Sequence, residues 1–441
     1  MISAMNRLDT SSPDFDAAFA RLLADRDSDT ARVDAPVTEI LAAIRRDGDA
    51  ALCEFTRRFD RMAITPDRLR ITDAEIDAAC AEVSLSLHAA LDVAATRIES
   101  FHRAQLPDDL RYVDAQGVTL GMRWTPLDAV GLYVPGGTAA YPSSVLMNAV
   151  PARVAGVRRL AMCVPTPDGV LNPLVLAAAR RAGVSEIYRV GGAQAVGAMA
   201  YGTKTIAPVD RVVGPGNAYV AEAKRQVFGR VGIDSIAGPS EIVIVAADAN
   251  DPRALALDLL AQAEHDPMAQ AVLITPDAAL AQAVQDAVEA ELKTLPRAQI
   301  ARASWDAHGA IITVRTLDEA VELVNRIAPE HLELVMDNPQ PVFDKVRHAG
   351  AIFLGRYCPE AIGDYVGGPN HVLPTSSTAR FASGLSVFDF LKRTTFIDAN
   401  ADSLRTIGPA AVALARAEGL DAHAMSVSIR LEDLTRGSGK A

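Results

Sequence analysis

Long hydrophobic runs are missing from this 441-residue sequence. No stretch offers the roughly 20 uninterrupted apolar residues that span a bilayer, and the amino-terminal MISAMNRLDTSSPDFDAAFARLLADRD carries no apolar signal core. A membrane role is therefore not expected, and a cytoplasmic location is. Cysteine is scarce: Cys53, Cys80, Cys163 and Cys358 are scattered without C-x-x-C spacing, which argues against a disulfide framework or a thiolate zinc cage and leaves reduced, mostly buried thiols. Cys358 as a nucleophile has no partner motif around it. Positive charge is in deficit as well. With 43 Lys+Arg against 55 Asp+Glu the formal net charge is -12, which favours solubility and disfavours nucleic acid or an anionic membrane surface as partner. Small molecules fit better. Repeats at solenoid period, low-complexity blocks and a GxGxxG fingerprint are all absent.

What is present is length and a rhythm. A chain of 441 residues exceeds the usual limit for one hydrophobic core, so at least two domains are expected, and 49% hydrophobic with 22% charged residues is an ordinary globular composition. Residues 159–165 read as a strand, 173–183 as a helix stopped by Gly183, 186–190 as a strand, 193–200 as a helix, 211–213 as a strand and 218–228 as a helix. A second run follows, with strands at 241–247, 271–275 and 311–314 and helices at 252–264, 278–292 and 317–327. Strands separated by helices imply parallel sheets covered on both faces, and the two runs could be distant structural duplicates. The stretch from Val37 to Arg103 reads as a charged helical layer, residues 376–384 as a loop, and the end of the chain as a small helical tail closing in a frayed RGSGKA.

Chemistry is sought in the exceptions to this pattern. Gly214-Pro215-Gly216-Asn217 follows a strand and opens a helix, where unpaired N–H groups and the helix dipole attract an anion such as a pyrophosphate; a tight turn with Asn217 as N-cap explains it equally. Gly191-Gly192-Ala193-Gln194 repeats the device one unit earlier, so the two loops point to one crevice at strand carboxyl ends. Gln262 and His265 sit three apart near a helix end, on one face, and could chelate a metal or be a surface pair. In Pro329-Glu330-His331 the histidine can exchange a proton at neutral pH and the glutamate can tune it or activate water, although adjacent side chains should diverge. Asp364 in Gly363-Asp364-Tyr365 is expected on a loop beyond a strand, as a binding group or an Asx turn. His371 lies in a loop bordered by glycine and proline, and His423 follows Glu418 in the tail; His88, His102, His308 and His348 have no comparable setting.

Eight segments, GLYVPGG, VGGAQA, GPGNAYVAEAKRQV, AGPSE, QAEH, PEH, GDY and NHVLPT, occur in an order and at spacings that resemble the histidinol dehydrogenase family, with similarity from about Val37 to Ile429. The resemblance implies an NAD-dependent, zinc-containing enzyme that oxidises L-histidinol through the aldehyde to L-histidine. It implies zinc ligands at Gln262, His265, Asp364 and His423, NAD contacts at Tyr133, Gln194 and Asn217, and substrate contacts at Ser240, Glu330, His331, His371 and Glu418, with the zinc ligands also touching substrate. His331 would take the hydroxyl proton and Glu330 would activate the water that hydrates the aldehyde. A homodimer is implied, with Glu418 and His423 reaching the active site of the other subunit.

The expected architecture is α/β, with two Rossmann-like parallel-sheet domains and small helical extensions at both ends. Residues 1–25 form a helical arm, 26–130 with 237–383 the domain carrying the metal and catalytic residues, 131–236 a second domain with the NAD loops, and 384–441 a dimerisation tail. Residues 139–144 and 376–381 depart from the family pattern, which puts contacts made by those loops in doubt. A dehydrogenase of another small primary alcohol would lack the imidazole-recognising set, which this chain retains in His371, Glu418 and His423. A metal-dependent hydrolase would need the same four ligands but no nucleotide.

Overall fold

The computed structural model describes residues 6–24, 33–136, 141–236 and 238–437, so Ala139, Ala140 and the last four residues of the expected frayed tail lie outside the described residues. These fall into two compact units, one drawn from Met1–Gln105 and Leu127–Phe390, the other from Leu106–Pro126 and Leu391–Ala441.

The larger unit realises the strand–helix rhythm as two parallel sheets. In one the spatial order is Glu186–Tyr188, Arg159–Cys163, Ala129–Tyr133, Arg211–Val213, Gly232–Ile233. Counted along the chain this is 3-2-1-4-5, the order of a Rossmann half with its edge. In the other the order is Asn6–Asp9, Ala310–Thr313, Gln270–Thr275, Glu241–Ala246, His331–Val335, Ala351–Leu354. Its strands from Glu241 onward repeat 3-2-1-4-5, so the two runs are duplicates in topology, and Asn6–Asp9 is an addition at the edge. All six residues of Glu241–Ala246 are buried, as a strand covered by helices on both faces requires. The helices begin where side-chain oxygens take up orphan N–H groups: Asn172, Asn217, Asp251, Asp277 and Thr316 each cap a helix start. Each such cap contributes about 1 kcal/mol.

Three expectations about domain layout are corrected. The amino-terminal segment is not only a helical arm: Asn6–Asp9 is a strand parallel to Ala310–Thr313, and helix Phe15–Ala24 buries Phe15, Phe19 and Leu22 in that sheet's core. Helix Asp34–Asp47 buries Val37, Ile40, Leu41 and Ile44 against Ala193, Val196 and Val220, so this part of 26–130 joins the core of the five-stranded sheet and not that of 237–383. Gly197 permits that packing, since a Cβ there would lie 2.9 Å from Leu41. The carboxyl-terminal region is not purely helical either. Strand Leu391–Asp398 pairs antiparallel with Thr119–Pro126, which pairs with Leu110–Val113; helices Ala401–Ala417 and Asp421–Gly437 pack on each other within the same unit. Among the described residues no single helix is long and apolar enough to cross a membrane.

Candidate active site

The glycine loops meet at the carboxyl ends of the five-stranded sheet, as their sequence positions imply. Tyr133 ends its strand, and the Gly192 N–H donates to its hydroxyl oxygen at 3.1 Å. Gly214 packs beneath the Tyr133 main chain so closely that a Cβ would lie 2.0 Å from the Tyr133 carbonyl oxygen, and its φ of 114° is one that favours glycine. Asn217 is the N-cap weighed from the sequence, its Oδ1 accepting from the N–H groups of Tyr219 and Val220 at 3.1 and 3.2 Å, and the residue is exposed. Gln194 is buried in the first turn of helix Gly192–Tyr201, and its Oε1 finds no hydrogen-bond partner among the described residues. An orphaned buried oxygen beside two loops that leave no room for side chains suits a nucleotide cradle.

The second candidate centre lies at the opposite end of its sheet. Glu241 and His331 are the first residues of adjacent strands, so the chemistry gathers at the amino ends, where the usual rule for open α/β sheets would not look. His331 Nδ1 is 3.2 Å from the Glu241 carbonyl oxygen. A carbonyl only accepts, so Nδ1 carries the ring proton and Nε2 keeps its lone pair. Nε2 is buried and has no hydrogen-bond partner among the described residues, and the ring lines a cavity of about 480 Å³ shared with Phe101, Phe353, Asp364 and His371. Burial pushes the His331 pKa down to about 4, with His371 and His265 adding to the fall and Asp364 opposing it. The imidazole is neutral at neutral pH.

Glu330 and His331 do not diverge as expected. The helix Leu317–Ile327 closes on Ala328 in the left-handed region, and Glu330 lies just outside the strand, so strand alternation does not apply to it. Both side chains turn to Glu241: Glu330 Oε2 accepts its N–H at 3.1 Å and stands 3.7 Å from His331 Nδ1. Asp364 is also corrected, from a loop to the helix Glu360–Tyr365. That helix sits close to strand Ala351–Leu354 because Gly363 has no side chain; a Cβ would lie 2.4 Å from the Phe353 ring.

Glu360 was missed from the sequence. It is buried, and its Oε1 is 3.3 Å from His331 Nδ1. Its spacing of four from Asp364 is a helical signal that the loop assignment concealed. Burial raises the Glu360 pKa well above the ordinary value, helped by the charges of Asp364, Glu333, Glu330 and Asp258. Behind it Glu333 is pushed up to about 8 by burial and by Asp258, while the Glu360 N–H, donating at 2.7 Å, opposes the rise.

Donors for a cation converge on Asp364. Ligand atoms of His331, Glu360 and Asp364 lie within 4.8 Å of one another. Burial pushes Asp364 up, but the neighbouring imidazoles of His371, His331 and His265 outweigh it, so its pKa falls below the ordinary value. His371 Nδ1 is 3.6 Å from Asp364 Oδ1. The helix Pro252–Ala263 packs on that of Asp364, and Gln262 in its last turn is fully buried with neither amide atom hydrogen-bonded among the described residues. Leaving such a group unsatisfied costs about 1–3 kcal/mol, so the orphaned amide fits a ligand. Amide, imidazole and carboxylate donors suit zinc.

Other candidates belong to other elements. Ser240 lines a small recess with Met268, Gln270 and Ser376 and does not line the large cavity. Glu418 and His423 are exposed on the second compact unit, His423 within helix Asp421–Gly437. Cys358 lines the large cavity.

Duplicated Rossmann-like sheets, two glycine cradles and a neutral buried histidine on a cavity define an α/β dehydrogenase. Residues 23–431 match the family model for histidinol dehydrogenase, and the chain belongs to that family. It is 69% identical over 428 residues to histidinol dehydrogenase of Gluconobacter oxydans (strain 621H), covering 97% of this chain and 100% of that one. To the Rhodospirillum rubrum enzyme of the same name it is 62% identical over 426 residues, covering 96% and 98%. The crystal structure of histidinol dehydrogenase from Elizabethkingia anophelis matches with a TM-score of 0.91 at 36% identity, covering 98% of this chain and 99% of that chain.

Proposed function

We propose that this oxidoreductase carries L-histidinol through L-histidinaldehyde to L-histidine with two molecules of NAD, as the last steps of histidine biosynthesis in the cytoplasm. The observation that carries the chemistry is the contact of His331 Nδ1 with the Glu241 carbonyl, which leaves the lone pair on Nε2 in a ring that lines the cavity. When bound, zinc at Gln262, His265, Asp364 and a second copy's His423 supplies a Lewis acid that locks the substrate, and NAD at Tyr133, Gln194 and Asn217 supplies the hydride acceptor.

His331 Nε2 takes the hydroxyl proton in the first oxidation and a proton of the hydrated aldehyde in the second. Glu330, oriented by the Glu241 N–H, accepts a proton from the water that adds to the aldehyde. Ser240, His371 and, from the second copy, Glu418 hold the substrate. The exposure of Glu418 and His423 on a small separate unit supports their use by a neighbouring subunit, hence a homodimer with shared sites. Residues 131–236 then serve as the nucleotide domain and 237–383 as the catalytic one.

Anaerobic mixing with L-histidinol and NAD, counting NADH formed per substrate consumed, tests the reading. Two is expected. One would leave an alcohol dehydrogenase, and none would favour a hydrolase.

A further inference from the structure

Away from the catalytic cavity, helix Ala218–Val227 buries a lysine. Lys224 forms an ion pair with Asp234, and the two side chains are only 3% and 4% exposed. Both point at one residue. The Gly214 N–H donates to Asp234 Oδ2 at 2.8 Å, and Lys224 Nζ donates to the Gly214 carbonyl oxygen at 3.1 Å. Apolar residues of similar volume often stabilise a core as well as a buried ion pair, so packing alone does not account for this one. What an apolar pair lacks is the ability to hold two polar groups of a loop.

We propose that Lys224 and Asp234 are positioning residues of the nucleotide site, a buried clamp that fixes the Gly214–Asn217 loop in its binding conformation. This rests on the reading of that loop as an NAD cradle. The route is continuous: the clamp grips Gly214, Gly214 packs under the Tyr133 carbonyl, and the Tyr133 hydroxyl meets the Gly192 N–H ahead of Gln194. From the other side, Asn217 is anchored as N-cap of the helix that carries Lys224. The lysine charge is already paired with Asp234, so its role is to hold the loop and not to bind phosphate. A preorganised loop lowers the ordering cost of binding, so the clamp acts on NAD affinity and not on the chemical step.

Lys224→Met alone would strand a buried carboxylate and could prevent folding, so the test uses Lys224→Met/Asp234→Asn, which leaves no unpaired charge. Zinc-loaded protein is titrated calorimetrically with NAD, steady-state rates are measured, and amide exchange is followed across residues 214–218. The expected result is a Kd and KM for NAD raised about tenfold or more and faster exchange in the loop. kcat at saturating NAD, KM for L-histidinol and zinc content should stay within about threefold of the parent protein. Lys224→Gln/Asp234→Asn, which keeps an amide donor and acceptor for Gly214, should recover most of the NAD affinity.

Asn217→Ala is the control for the underlying reading. If it weakens NAD while the Met/Asn variant binds NAD as the parent does, the clamp proposal is wrong and the cradle stands. If Asn217→Ala leaves NAD affinity unchanged, the cradle reading fails and the proposal fails with it. A uniform loss of kcat, zinc and thermal stability in both double variants would also overturn it, since that marks a purely structural pair.

Discussion

His331 Nδ1 lies 3.2 Å from the main-chain oxygen of Glu241, and this contact decides which ring nitrogen is left for chemistry. An asparagine at 331 would keep a donor for that carbonyl but offer no basic nitrogen to the cavity. His331→Asn should lower kcat for both oxidations by roughly 10²–10⁴-fold, the usual scale for a lost general base. Zinc content, read by atomic emission after dialysis, should be little changed. Normal turnover by this variant would contradict the assignment.

Two overlapping donor sets contend for a metal around Asp364. The family resemblance names Gln262, His265 and Asp364 with His423 of a second copy, whereas among the described residues ligand atoms of His331, Glu360 and Asp364 lie within 4.8 Å of one another. The orphaned Gln262 amide and the Nδ1 contacts of His331 favour the first. His265→Asn should therefore lose zinc and activity together, with affinity lowered at least about tenfold, while Glu360→Gln retains the metal. Measured zinc stoichiometry decides, and the reverse pattern would place the ion on the His331–Glu360–Asp364 cluster.

Cys358 lines the same cavity as His331, which raises the option of a covalent thiohemiacetal route to the acid. If water activated through Glu330 attacks the aldehyde directly, no thiol is needed. Cys358→Ala should then produce NADH within about threefold of the parent rate, whereas a covalent step would drop it by several orders of magnitude. Trapping of an acyl-enzyme on Cys358 by mass spectrometry would sink the direct-hydration route.

How far the sequence reveals this site depends on the range of the signals. Gly191-Gly192 and Gly214–Asn217 are legible because glycine after a short strand is a local pattern, and the structure puts them at the carboxyl ends of one sheet. Gln262 is legible as a helix end, whereas His265 lies in the turn past the last helical residue, Ala263, and is exposed. Glu360 is not, because its helix is a single short segment, Glu360–Tyr365, interrupted by a glycine that reads as loop but exists for contact with Phe353. Strand Leu391–Asp398 escapes for a different reason: in LKRTTFID only pairing with the distant Thr119–Pro126 makes a strand of it. The amino-end placement of Glu241 and His331 is likewise a matter of tertiary arrangement, invisible to motif spacing. Asn6–Asp9 joins a strand some three hundred positions away by the same kind of non-local pairing.

Asp60 gives a stability prediction independent of the catalytic reading. It follows helix Asp49–Phe59, its side chain is buried, and its Oδ2 has no hydrogen-bond partner among the described residues. Burial raises its pKa from 3.8 to about 6 against the opposing charge of Arg61, whose guanidinium is engaged with Asp168 at 2.8 Å. The folded value exceeds the unfolded one, so between these limits the folded protein binds more protons and stability falls as pH rises through the window. Above it the cost of a buried carboxylate is fully present, and below it both states are protonated and the cost vanishes. Asp60→Asn should accordingly raise unfolding free energy by about 1–2 kcal/mol near pH 7.5, with little gain near pH 3.5. Urea unfolding of both proteins at the two pH values checks this, and an equal difference at both would show that the buried charge is not the cause.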